Sequence, residues 1–423
     1  MRKIAFYTLG CKVNQYETEI LRKELLKYYE EVNFLDSADI YIINTCTVTE
    51  TAEKKSIKII KRAVKNNPES FVIVTGCLAE INNFELKKIE GVDMVIPQKE
   101  KEKIPEIVKQ IFGTTYKRNS YIKKRTRVFV KVQDGCNKFC SYCIIPYARG
   151  RSVSRSEDEI LKEIKEYLKE GTKEIVLTGI CLGEYGKDLN NKISLANLLE
   201  KIENLDKDFR IRISSIELKD IDKELKKFIF NSKKICHHFH IPLQSGDKKI
   251  LKLMNRNYTP EEYLETVNEI RNNLQDVAIT TDIMVGFPEE KDKEFENTLK
   301  FVEKIKFYKV HIFPYSERKY TKASEYKNFL NKEILEKRCK ILFEITSSHK
   351  KEFEEKFIGK TLDVLVEDFD KELKLLNGLS NNYIRVFFPP LEKIDLKGDI
   401  VSVKIKEVKN IVYGEVENEL YFL

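Results

Sequence analysis

The chain has 423 residues, 42% of them hydrophobic and 34% charged, with 76 Lys and Arg against 68 Asp and Glu for a formal charge of +8. That length is too great for one ordinary core and suits two or three domains. No apolar run reaches the roughly 18 to 20 residues of a membrane helix, and the opening MRKIAFYTLGCKVN has no cleavable hydrophobic segment, so a soluble cytoplasmic protein with no membrane partner is expected.

In chain order, KIAFYTLG, ADIYIINT and SFVIVTG read as strands, with helical patterns in YETEILRKELLKYY, TAEKKSIKIIKRAVKNN and EKIPEIVKQIF. This alternation predicts a small parallel α/β domain over residues 1–115. A second series follows over 122–356. Strand candidates RVFVKVQDG, EIVLTG, RIRISS, HHFHIPL, ITTDIMVG and KVHIFPY alternate with helices, as in a partial (β/α) barrel whose working face is the carboxyl end of the strands. KEILEKRCKILFEITSSHKKEFEEKF reads as a long charged helix. Over 357–423 the pattern changes to TLDVLVED, NYIRVFF, DIVSVKIKEV and IVYGEVEN, short strands that suit a small β-barrel.

Nine cysteines, an odd number in a long chain, argue for reduced thiols rather than a disulfide framework. Cys136, Cys140 and Cys143 follow the spacing C-x3-C-x2-C directly after a predicted strand. Three thiolates from one tight loop hold three irons of a 4Fe-4S cluster and leave the fourth without a protein ligand. Structural zinc is the alternative, but it generally takes four ligands, and no fourth Cys or His lies nearby in sequence. Cys11, Cys46 and Cys77 each sit just past a predicted strand, and in a parallel sheet such points lie along one edge, where ligands collect. Taken singly each is an ordinary small core residue. Taken together they suggest a second cluster.

From Lys117 to Arg155 there are eleven basic residues and one acid, Asp134. Such a run attracts polyanions, or is a solvated linker. Lys123, Lys124, Arg125, Arg149, Arg151 and Arg155 are the candidate phosphate contacts. At the other strand ends, Gly179, Ser214, Glu217, Gln244 and Arg256 are the small and hydrogen-bonding residues that a polar cofactor in a barrel mouth requires. Each alone also fits an ordinary turn, Ser214 above all.

DGCNKFCSYC, with Tyr142 before its last cysteine, resembles the cluster loop of radical S-adenosylmethionine enzymes. Together with TLGCKVNQYETE, RISSIE and HIFPYSER, the chain resembles the radical methylthiotransferase family along essentially its whole length. That resemblance implies an amino-terminal domain with an auxiliary cluster, a radical barrel and a carboxyl-terminal TRAM domain that binds RNA. It implies two 4Fe-4S clusters, S-adenosyl-L-methionine, a reductant such as flavodoxin or ferredoxin, and a sulfur source. In that family S-adenosylmethionine chelates the open iron of the loop cluster and is cleaved to a 5′-deoxyadenosyl radical, which opens an unactivated C–H bond.

Lys12, Val13 and Asn14 point to the subgroup that methylthiolates threonylcarbamoyladenosine in the anticodon stem-loop of tRNA. The subgroups acting on isopentenyladenosine or on a ribosomal-protein aspartate are the alternatives, and a non-catalytic zinc and RNA-binding protein is the reading from a different class. Two features depart from the family. Lys319, Tyr320 and Thr321 stand where a glycine usually precedes the threonine, and Cys181 stands where asparagine or histidine is common. Residues 359–423 carry nine Lys and Arg against twelve Asp and Glu, so that domain is no general polyanion magnet.

Overall fold

The computed structural model describes residues 2–114, 126–190, 192–391 and 395–417. The chain divides into two compact units, one of Met1–Lys123, Asp134–Val153 and Ser316–Glu325, the other of Lys124–Gln133, Ser154–Tyr315 and Tyr326–Leu423.

The first unit is built on the strands Lys3–Thr8, Ile40–Thr45 and Phe71–Gly76, paired in parallel in that order and flanked by the short strands Glu30–Glu31 and Met94–Val95. Their side chains alternate between two covered faces, which is why the runs read as continuously apolar. Ala5, Tyr41, Ile43, Val72 and Val74 pack into one core with Ile59, Ile60 and Ala63 of the helix Glu50–Asn66. Ile4, Phe6, Ile40, Ile42 and Ile73 pack into the other with Leu21 and Leu25 of the helix Lys12–Leu25 and Ile104 and Val108 of Ile104–Phe112. The Glu50–Asn66 helix starts where the Thr49 side chain accepts the Ala52 N–H.

Two later stretches are tied into this unit. The Glu50 N–H donates to Ser316 Oγ at 2.9 Å, Arg318 pairs with Glu53 at 2.7 Å, and the Ala323 N–H donates to the Ser141 carbonyl at 2.7 Å. Sequence distance hides these contacts.

The second unit holds two parallel three-stranded sheets. One is formed by Arg127–Lys131, Glu174–Thr178 and Arg210–Ile213, the other by His238–His240, Ala278–Val285 and Lys309–Pro314. Parallel bridges Ile211↔Ile235 and Ser215↔His240 join them into the expected open barrel. Beyond the helix Lys332–Glu355, five strands close into a small barrel. One of them, Leu375–Ser380, is not among the strands expected from the sequence; it carries Asn377 and Gly378, residue types depleted in strands. Gly378 is needed there for space, since a Cβ would stand 2.0 Å from the Leu365 carbonyl oxygen.

A buried ion network joins the two barrels of this unit. Arg210 and Arg212 donate to Glu174 at 2.6 to 3.0 Å, and also to the carbonyls of Asp363, Leu379, Ser380 and Asn381. Burial by itself raises the Glu174 pKa, but the two guanidiniums overcome it and bring the carboxyl down to about 2.

Candidate functional site

Consider first the edge of the five-stranded sheet. Cys46 follows Ile40–Thr45 immediately, Cys77 follows Phe71–Gly76 immediately, and Cys11 stands at the N-cap of the helix after Lys3–Thr8. Gly10 has φ +93°, and a Cβ on it would lie 3.0 Å from Cys46 Sγ, so only glycine lets the Cys11 loop approach this closely. Cys46 and Cys77 are buried and Cys11 is exposed. Burial, with the neighbouring Cys77 and Cys11 sulfurs adding to it, pushes the Cys46 thiol up to about 12. The structure thus brings together three thiols from residues 11, 46 and 77. Two of them stay protonated at neutral pH unless a cation is bound. Three soft sulfur donors at one sheet edge suit an iron-sulfur cluster.

Cys136, Cys140 and Cys143 lie in the same unit, on a loop of non-repetitive backbone. Gly135 has φ +69°, and a Cβ there would stand 1.9 Å from the Arg151 carbonyl oxygen. The Cys136 N–H donates to the Gly150 carbonyl at 3.1 Å, closing the loop, and the Cys143 N–H donates to Cys140 O at 3.0 Å. The Lys138 N–H points at Cys136 Sγ from 3.4 Å, a bond that favours a thiolate. Such a donor set fits the cluster implied by the spacing. Tyr142 is half-buried between the second and third cysteines.

Arg149 requires a correction. The run of positive charge suggested a phosphate contact, yet its side chain is 1% exposed. Its Nη1 bonds both oxygens of Asp134 at 2.8 and 3.0 Å, both Nη atoms reach Glu17 at 3.0 to 3.1 Å, Nη2 also donates to Asn14, and Nε lies 3.3 Å from Cys77 Sγ. A guanidinium spent on these partners has no face left for RNA. It instead ties the Cys136 loop to the Cys77 strand end. Arg151 is exposed and lies over the Phe139 ring at 4.4 Å. Arg155 is partly exposed and bonds Glu163 and the Lys131 carbonyl. Lys123, Lys124 and Arg125 lie outside the described residues.

In the second unit, Ser214 and Gln244 fall at the carboxyl ends of adjacent strand regions. Both are buried, and Ser214 Oγ and Gln244 Oε1 have no hydrogen-bond partner among the described residues. Gln244 also holds φ +69°. Buried polar atoms left unpaired are costly, and a polar ligand is a reason to keep them. Arg256 is held by Glu217, by Tyr258 Oη at 3.1 Å and by the Pro242 carbonyl at 3.0 Å. Gly179 meets the Gln133 side chain, whose Oε1 would lie 2.9 Å from an added Cβ and accepts the Cys181 N–H at 2.8 Å. Cys181 is buried beside Asp220.

Sequence reasoning missed Asp282, which lies 3.3 Å from His240 Nε2 and 3.6 Å from His311 Nδ1. Burial opposes its ionisation, but the two imidazoles hold its carboxyl well below the usual range. The signal was present as a run of polar residues, Thr280, Thr281 and Asp282, inside the otherwise apolar strand AITTDIMV.

Residues 3–97 match the family model described as uncharacterized protein family UPF0004, residues 130–302 the radical SAM superfamily, and residues 355–415 the TRAM domain. The chain is 41% identical over 402 residues to the threonylcarbamoyladenosine tRNA methylthiotransferase MtaB of Aquifex aeolicus (strain VF5), covering 91% of this chain and 96% of that one. It is 38% identical over 427 residues to the MtaB of Bacillus subtilis (strain 168), covering 96% and 94%. With the tRNA-2-methylthio-N(6)-dimethylallyladenosine synthase of Caldicellulosiruptor saccharolyticus it shares 34% over 431 residues, covering 97% and 91%. Among solved structures, the radical S-adenosylmethionine methyltransferase TsrM of Kitasatospora setae superposes with a TM-score of 0.54 at 14% identity, over 74% of this chain and 72% of that one, a likeness of fold. On relatives this similar across nearly the whole of both chains, the protein belongs to the radical S-adenosylmethionine methylthiotransferase family, transferases that work with S-adenosylmethionine and a 4Fe-4S cluster.

Proposed function

We propose that this enzyme adds a methylthio group to carbon 2 of threonylcarbamoyladenosine, next to the anticodon on its 3′ side, in tRNA. The observation that carries this reading is the full-length identity of 38 to 41% to enzymes of that name, against 34% to the dimethylallyladenosine enzyme. The convergence of Cys11, Cys46 and Cys77 supports a second 4Fe-4S cluster held by those residues, beside the one held by Cys136, Cys140 and Cys143. When bound, the loop cluster with S-adenosylmethionine supplies a carbon radical able to take an unactivated hydrogen, and the auxiliary cluster supplies a place for sulfur.

The chain's own residues bind and orient. In this reading Ser214 Oγ and Gln244 Oε1, buried and unpaired among the described residues, hydrogen-bond S-adenosylmethionine, and the ion-paired Glu217 and Arg256 serve the same cofactor. Tyr142 and Gly179 belong to the same cofactor set. The RNA is held by its phosphates through Arg151, Arg155 and the Lys123, Lys124 and Arg125 run. A flavodoxin- or ferredoxin-type reductant, a sulfur source and a cytoplasmic setting complete the reading, with domains at 1–115, 122–356 and 357–423. No helix among the described residues is long and apolar enough to cross a membrane.

Nucleoside mass spectrometry of tRNA from cells lacking the gene tests it. Loss of the methylthio group from threonylcarbamoyladenosine alone is the expected result. Loss from isopentenyladenosine, or from neither nucleoside, overturns the substrate assignment.

A further inference from the structure

Tyr320 occupies a backbone conformation that tyrosine rarely takes. Its φ is +71°, in the left-handed region that glycine adopts freely and a bulky residue adopts only under constraint. The constraint is visible on both sides. Arg318 is buried against Glu53 at 2.7 Å, the Thr321 N–H and Oγ1 both bond the Arg318 carbonyl, and the Ala323 N–H is fixed to Ser141 of the cysteine loop. The turn is over-determined, so the unfavourable residue at its apex is held rather than tolerated by slack.

What the turn presents is an aromatic face. Tyr320 is 65% exposed, and its ring stands 6.3 Å from that of Tyr147, itself 46% exposed, with 35° between the planes. The two rings form an open wedge rather than a closed stack. On the cysteine loop, Phe139 also has a positive φ, +48°, and an exposed ring, with the Arg151 guanidinium above it. Exposed aromatic rings beside a cationic plane suit unstacked bases of a single-stranded RNA segment, because every base has a π-face and every linkage a phosphate. An ordinary solvated turn has no use for a strained tyrosine.

We infer that Tyr320 and Tyr147 form a stacking clamp for an unpaired base of an RNA loop, with Arg151 on Phe139 taking the adjoining backbone. The inference rests on the proposed RNA substrate and names the means by which its loop is gripped. It assigns specificity for unpaired over paired RNA to this part of the cysteine-bearing unit.

The test uses the cluster-loaded full chain with an anticodon stem-loop carrying 2-aminopurine in the loop, and a duplex of the same length. The wild type is expected to quench the loop probe and to prefer it over the duplex. Y320G and Y147L should each bind the loop about 5- to 150-fold more weakly, the range for loss of one base–aromatic stack, while Y320F stays near wild type and the visible cluster absorption is unchanged. Y320G removes the strained residue, so it folds even if Y147L does not. Wild-type affinity and quenching in Y320G and Y147L would overturn the inference. So would equal affinity for loop and duplex, or loss of affinity for a polypeptide with loop binding intact. If the wild type stacks the loop but forms no methylthio nucleoside, the substrate assignment falls and the clamp stands. If product forms and quenching ignores both tyrosines, the clamp falls alone.

Discussion

Arg149 Nε lies 3.3 Å from Cys77 Sγ, and the same guanidinium is bonded to Glu17 and Asp134, so a residue six positions beyond Cys143 is locked onto a strand end of the amino-terminal sheet. Hydrogen bonds to a ligating sulfur stabilise its negative charge and raise a cluster's reduction potential. R149K keeps the charge but not the fork, and is expected to bind near-normal iron with the midpoint of the auxiliary cluster moved negative in an EPR redox titration. R149M removes the charge shared by Asp134 and by Glu17, which keeps Lys101 at 2.6 Å, and should lower the melting temperature further than R149K. An unmoved midpoint in R149K would show that Arg149 only packs.

With the proposed second cluster on Cys11, Cys46 and Cys77, removing the three together should leave about half of the reconstituted iron. Removing Cys136, Cys140 and Cys143 should abolish formation of 5′-deoxyadenosine while the other cluster persists. Full iron in the first triple variant would sink the second-cluster assignment.

Ser214 and Gln244 distinguish a ligand site from a structural one. Their Oγ and Oε1 atoms make no bond among the described residues, so S214A and Q244L should leave the melting temperature unchanged or slightly raised. Each should weaken S-adenosylmethionine binding by about 0.5 to 1.5 kcal/mol in calorimetry. Marked destabilisation with unaltered binding would return both residues to the fold.

Glu174 sets an acid limit. Its folded pKa, about 2, lies below its ordinary carboxylate value, so its contribution to stability is complete above that ordinary value, near pH 4.5, and is lost as pH falls toward 2. The difference is worth about 3 kcal/mol. E174Q should lower stability at pH 7 by about 3 to 5 kcal/mol, because Arg210 and Arg212 then stay buried without a counter-charge, and its thermal stability should fall less steeply in acid. Equal acid sensitivity in both proteins would place the titrating group elsewhere.

The α/β character of the first 350 residues, the closing β-barrel and the loop spacing of Cys136, Cys140 and Cys143 were legible along the sequence, because apolar periodicity and close cysteine spacing are local signals. The strand Leu375–Ser380 was not, since its Gly378 answers to a carbonyl on another strand. Arg149 misled for the same kind of reason. Along the chain it stands among positive charges, and in space it stands among Glu17, Asp134 and Cys77.

By itself, then, the sequence determined most of the helices and strands and which thiols are available, because helix and strand patterns and the cysteine loop are written in neighbouring residues. Only the tertiary structure decided which charges are spent inside and which remain outside. It buried Arg149, Arg212 and Glu174 and left Arg151, Tyr147 and Tyr320 facing solvent. Burial and pairing depend on partners tens to hundreds of residues away, and long-range Coulomb and packing terms of that kind leave no period in the chain.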